Sequence, residues 1–62
     1  MPFIEVKAVD RRFKDPAVVE QLIAKLTDAA CEVLGEDMRP AMWVVVEGVP
    51  AERWGIAGKP LS

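Results

Sequence analysis

The stretch Asp15-Pro16-Ala17-Val18-Val19-Glu20-Gln21-Leu22-Ile23-Ala24-Lys25-Leu26-Thr27-Asp28-Ala29-Ala30-Cys31-Glu32-Val33-Leu34-Gly35 decides the fold. It opens with a helix-start pair, Asp15 as N-cap and Pro16 at the first helical position, where a missing N–H costs nothing. Apolar residues Val18, Val19, Leu22, Ile23, Leu26, Ala29, Ala30, Val33 and Leu34 then recur at steps of three and four. That is an amphipathic helix of about five turns, and Gly35 is placed to end it in a left-handed conformation.

On either side lie runs with a different period. Before the helix, Phe3-Ile4-Glu5-Val6-Lys7-Ala8-Val9 alternates Ile4, Val6 and Ala8 with Phe3, Glu5, Lys7 and Val9, the pattern of a strand. The charged segment Asp10 to Asp15 reads as a loop. After the helix, Glu36 to Pro40 reads as a second loop, closed by a proline that cannot continue a helix. Ala41 to Glu47 is then a nearly continuous apolar run, the mark of a strand covered on both faces.

Strand, helix, strand within the first 47 residues is a βαβ unit, so the two strands are expected to lie parallel. The fold class is α/β (α+β), a single domain over residues 1–62. The remaining segment, Gly48 to Pro60, is rich in turn formers. Gly55 and Gly58 bracketing Ile56 indicate a short hairpin or arm that docks on a neighbouring subunit.

Size constrains what this unit can do alone. A chain of 62 residues buries only roughly 60% of the surface its unfolded form exposes. One cysteine, Cys31, rules out an internal disulfide, and no histidine is present to help hold a metal. Yet 52% of the residues are hydrophobic. The surplus is expected to be buried against other copies, making the protein an oligomer. A net charge of −2 with a pI near 4.9 argues against nucleic acid, which calls for a basic face. No apolar run reaches the roughly 18–20 residues of a membrane span, and no signal-peptide pattern precedes the first strand. A cytoplasmic location is the expectation.

Pro2 stands directly behind Met1, at the front of the first strand. If Met1 is removed, Pro2 becomes a free secondary amine. An α-amino group titrates at about 7.7–8.0, so a modest downward shift gives a base that is unprotonated near neutrality. If Met1 stays, the same nitrogen is a tertiary amide with no basic lone pair.

Pro2, the βαβ layout, an arginine closing the first strand and the run Trp54-Gly55-Ile56-Ala57-Gly58 together resemble the tautomerase superfamily. The likeness is to its short 4-oxalocrotonate tautomerase-like subunits, and it covers nearly the whole chain. The resemblance implies a hexamer built as a trimer of dimers, here a homo-hexamer. It also implies cofactor-independent keto–enol proton transfer on a 2-hydroxydienoate or an enolised 2-oxo acid, with the N-terminal proline as base and then acid. Pro2 matches that catalytic proline. Arg12 matches the arginine that binds a substrate carboxylate, with the adjacent Arg11 as the alternative, pointing the other way if strand geometry persists. Trp54 takes the position of an aromatic wall.

One position departs from the pattern. The family's second arginine, early in the strand after the helix, falls on Trp43. An indole offers a carboxylate only its N–H. A monocarboxylate with an aromatic or apolar tail therefore suits Trp43 better than a dicarboxylate such as 2-hydroxymuconate.

Plainer roles stand beside these. Arg11 and Arg12 are also what a solvated turn looks like, and Trp54 and Trp43 are equally core or interface residues. Cys31 reads as a semi-buried filler off the main apolar stripe. The alternatives in function are a hydratase or dehalogenase of the same superfamily, or a non-catalytic subunit of a hetero-hexamer.

Overall fold

The computed structural model describes residues 2–62; the expectation that turns on Met1 lies outside them. The chain runs β1 (Phe3–Val9), a 3₁₀ turn (Asp10–Phe13), α1 (Pro16–Leu34), a 3₁₀ turn (Glu36–Ala41) and β2 (Trp43–Val49). A third 3₁₀ turn (Ala51–Arg53) then leads into a hairpin of β3 (Gly55–Ile56) and β4 (Lys59–Pro60).

β1 and β2 pair in parallel from Phe3↔Trp43 to Val9↔Val49, as expected for strands joined through a helix. The cap of α1 is also as read. The Asp15 side chain accepts from the Ala17 N–H at 3.0 Å, and Pro16 occupies the first turn.

Gly35 ends the helix differently from the expectation. Its φ of 111° is positive, but its ψ of 145° is extended rather than left-handed helical. The cause is the immediate start of the next turn, in which the Met38 N–H donates to the Gly35 carbonyl at 3.2 Å. That turn folds back on α1, pinned by Arg39. The Arg39 guanidinium bonds both carboxylate oxygens of Glu36 at 2.8 and 3.1 Å, and Asp28 on α1 at 2.9 Å. The expected loops at Asp10–Asp15 and Glu36–Pro40 thus contain ordered 3₁₀ turns. The second of these takes in Ala41, so β2 begins at Trp43 instead of Ala41.

At the far end of β2, Gly48 extends the ladder to Val49. A Cβ at Gly48 would sit 2.9 Å from the Asp10 Cα, so only glycine lets the turn after β1 cross that close.

The sheet is covered on one face only, against the expectation for β2. Ile4, Val6, Ala8, Val44 and Val46 are partly covered, while Phe3, Trp43 and Val45 remain exposed on the other face. Glu5, Lys7 and Glu47 continue that open face, with the Lys7 ammonium 3.3 Å from Glu47.

Cys31 is the one fully buried side chain among the described residues, at 2% exposure, which corrects its reading as a semi-buried filler. It sits where the turn Glu36–Ala41 folds back on α1, and the Gly35 N–H donates to its carbonyl at 2.8 Å.

The hairpin projects from this body. Ala57 (φ 54°) and Gly58 (φ 82°) both have positive φ, which the tight type I′ turn demands at its two central positions. A two-stranded ribbon this short is not stable in isolation, and Ile56 is largely exposed on it.

The dimensions record the same incompleteness. The radius of gyration is 14.2 Å, against about 10.6 Å for a compact domain of this length. The accessible surface is 4746 Å², against about 4,000 Å² for a folded monomer of this mass. No helix among the described residues is long and apolar enough to cross a membrane.

Candidate active site

Pro2 is half-buried at the head of β1, and its carbonyl accepts from the Trp43 N–H at 3.1 Å. This backbone bond precedes the first rung of the parallel ladder, Phe3↔Trp43, so Trp43 lies across from Phe3 on the neighbouring strand. Phe3, paired with Trp43 in register, is the adjoining aromatic, and sequence reasoning gave it no role. Its signal was available: strand alternation places Phe3 on the face away from Ile4, Val6 and Ala8.

Arg11 and Arg12 stand at the other end. β1 closes at Val9, and both arginines are exposed on the 3₁₀ turn that follows. Strand alternation therefore does not separate them, contrary to the expectation. On a 3₁₀ turn, successive side chains are about 120° apart, so both reach solvent from one ledge.

Trp54 follows the 3₁₀ turn after β2 and is half-buried. Its N–H donates to the Ala51 carbonyl at 3.1 Å, and its carbonyl accepts from the Leu61 N–H at 2.7 Å. Because Val9 and Val49 close the ladder side by side, Trp54 shares the sheet end of Arg11 and Arg12. Arg53, which sequence reasoning assigned no part, arrives there with it.

The five sequence-derived residues thus fall into two groups. Pro2 and Trp43 lie at the N-terminal end of the parallel strands, and Arg11, Arg12 and Trp54 lie beyond the C-terminal end. β1 has seven residues, and at about 3.3 Å per residue the two groups are roughly 20 Å apart. No small substrate touches both within one chain.

A groove of about 350 Å³ opens at the proline end, lined by Ile23 and Thr27 of α1 and by Met42, Trp43, Val44 and Val45. The Thr27 hydroxyl donates to the Ile23 carbonyl at 2.8 Å, so the proton of the groove's polar side chain is already engaged. Among the described residues no cluster of His, Cys, Asp and Glu could hold a metal ion.

The family model described as tautomerase enzyme matches residues 2–62, and the chain belongs to this family. A curated relative, the probable tautomerase RSp0893 of Ralstonia nicotianae, is 39% identical over 62 residues. The alignment covers 100% of this chain and 84% of that relative. No solved structure matches the chain.

Proposed function

We propose that the protein is a cofactor-independent tautomerase whose Pro2, freed of Met1, is the general base and acid. It acts on a 2-hydroxydienoate or an enolised 2-oxo acid. The observation that carries this reading is a family match that starts at the proline itself.

The chemistry follows from the groups available. The secondary amine takes the proton of an enol O–H as the carbon–carbon double bond shifts to make C=O. The resulting ammonium then returns a proton to carbon. Desolvation, and a guanidinium brought by a neighbouring copy, both disfavour a charged amine. A base that is neutral near pH 7 and an acid of matched strength are what this transfer needs. Arginine supplies the carboxylate contact by paired N–H bonds, and Arg12 with Arg11 fills that role.

The roughly 20 Å between Pro2 and Arg12 within one chain supports a site that takes its two halves from different copies. The uncovered sheet face, the projecting hairpin and the surplus surface are what such copies would bury. A homo-hexamer, built as a trimer of dimers, is the assembly proposed.

Subunit mixing tests the reading. At substrate levels below KM, Pro2→Ala and Arg12→Ala homo-oligomers should each turn over far more slowly than wild type. Unfolded together and refolded, random mixtures should restore activity in about a quarter of the sites, because each shared site draws one residue from each copy. Mixtures no more active than their parents would refute a shared site.

A further inference from the structure

We propose that Arg53 is a further substrate-binding residue, gripping a 2-oxo acid head together with Arg12 from a second turn. Its guanidinium holds the enol oxygen while Arg12 holds the adjacent carboxylate. This rests on the tautomerase reading above and assigns one more residue, and a substrate head, to that same site.

Pairing singles the residue out. The chain has ten Asp and Glu residues, and Arg39 is bound to two of them, Glu36 and Asp28. Among the described residues, Arg11, Arg12 and Arg53 form no ion pair. That holds although Asp10 precedes Arg11 and Glu52 precedes Arg53 in the sequence. All three are exposed. In a chain of net charge −2, they are three open guanidinium forks at one end of the sheet, shaped for carboxylate and enolate oxygens.

Topology brings them together. The last rung of the ladder is Val9↔Val49. Arg11 and Arg12 stand on the turn Asp10–Phe13 directly after β1, and Arg53 on the turn Ala51–Arg53 after β2. Because the strands are parallel, both turns leave the sheet on the same side. Neighbouring strands are about 4.8 Å apart, and the first turn passes so near β2 that a Cβ on Gly48 would lie 2.9 Å from the Asp10 Cα. Cations on the two turns can therefore close on one small anion.

The backbone that carries Arg53 is held in place. Its N–H donates to the Pro50 carbonyl at 2.9 Å, and the next N–H, of Trp54, donates to Ala51 at 3.1 Å. The Leu61 N–H then donates to the Trp54 carbonyl at 2.7 Å. A turn fixed in advance lowers the ordering cost of binding.

Chemistry assigns the task. In ketonisation the enol O–H bond breaks, a C–H bond forms, and the C=C–O unit becomes C–C=O. Between the two proton transfers, negative charge spreads onto the 2-oxygen. A cation at that oxygen binds the transition state more tightly than the ground state. Trp43 supplies no such charge, and Arg39 is committed to Glu36 and Asp28. With the first turn serving the carboxylate, Arg53 is the guanidinium that remains. The substrate class that uses both turns carries its acid and enol groups on neighbouring carbons.

The test uses protein freed of Met1 and the enol of phenylpyruvate. Arg53→Ala should lower kcat about 10²-fold, the scale of one lost oxyanion donor, with KM little changed. Arg12→Ala should act mainly on KM. Arg53→Lys should recover part of the loss, and Arg53→Gln less. Inhibition gives a second reading that needs no variant. Wild type should be inhibited about tenfold more strongly by 2-hydroxy-3-phenylpropanoate than by 3-phenylpropanoate, the scale of a hydrogen bond to a charged group. Arg53→Ala should remove that difference.

An unchanged kcat in Arg53→Ala, no recovery in Arg53→Lys, or equal inhibition of wild type by the two acids overturns the inference. Should Arg53→Ala fail to assemble, Arg53→Lys and the wild-type inhibitor pair decide. If wild type turns over and acetylenic-acid labelling marks Pro2 while these outcomes fail, the tautomerase reading stands and only the role of Arg53 falls. If wild type is inactive and Pro2 unreactive, both fall.

Discussion

The Trp43 backbone N–H donates to the Pro2 carbonyl across 3.1 Å, tying the start of β2 to the residue at the head of β1. That bond sets the first rung of the parallel ladder, and the ladder sends Arg12 to the far end of the same sheet.

Replacing Pro2 with Ala should lower kcat/KM by about 10²-fold or more, the scale of a positioned acid–base group. A residual rate is expected, since a primary amine remains after Met1 removal. Circular dichroism should stay unchanged. A form that retains Met1, checked by intact mass, should be less active still, because its Pro2 nitrogen is an amide.

Arg12→Ala should raise KM for a carboxylate substrate with a smaller effect on kcat, and Arg11→Ala should do so less. Both arginines are exposed on a turn rather than packed in a core, so thermal unfolding should move little in either variant. Steady-state kinetics alongside a melting curve checks this.

Much of the fold is legible in the sequence. The Asp15-Pro16 start and the three-and-four spacing of apolar residues place α1, and glycines mark the hairpin. The start of β2 was less visible. Ala41 and Met42 are apolar enough to pass for strand, but they belong to a turn whose position is set by Arg39 reaching back to Asp28, a contact between residues distant in sequence. Cys31 was misread for the same reason: the segment that covers it arrives only when that turn folds back. The sequence names candidate site residues, and the seven-residue length of β1 then sets Pro2 and Arg12 at opposite ends of the sheet. The surface left bare by one chain turns that separation into an argument for a shared site.

Gly48→Ala should be destabilising. The new Cβ would lie 2.9 Å from the backbone Cα of Asp10, a contact that backbone movement alone relieves. Overpacking of this kind costs about 1–3 kcal/mol. A lowered unfolding midpoint, together with a raised KM as the Arg11–Arg12 turn shifts, is expected from calorimetry and kinetics.

The Glu36 carboxyl is held below its ordinary value of 4.5, first by its hydrogen bonds to Arg39 and then by that guanidinium's charge. A group whose folded pKa is depressed contributes stability above its unfolded pKa and loses it as pH falls through the folded one. The Glu36–Arg39 contribution is therefore present above about pH 4.5 and fades below it. Arg39→Gln should reduce stability at neutral pH while flattening its fall in acid. Denaturant titrations at several pH values read this directly.

The central claim is that a free Pro2 amine performs the proton transfer. Its most direct test is labelling with an acetylenic acid that traps N-terminal amines, followed by peptide mass mapping and activity measurement on the same sample. The expected result is one adduct per chain, on Pro2, with activity lost in proportion to labelling. An adduct elsewhere, or full ketonisation activity in protein labelled at Pro2 or still carrying Met1, would contradict it.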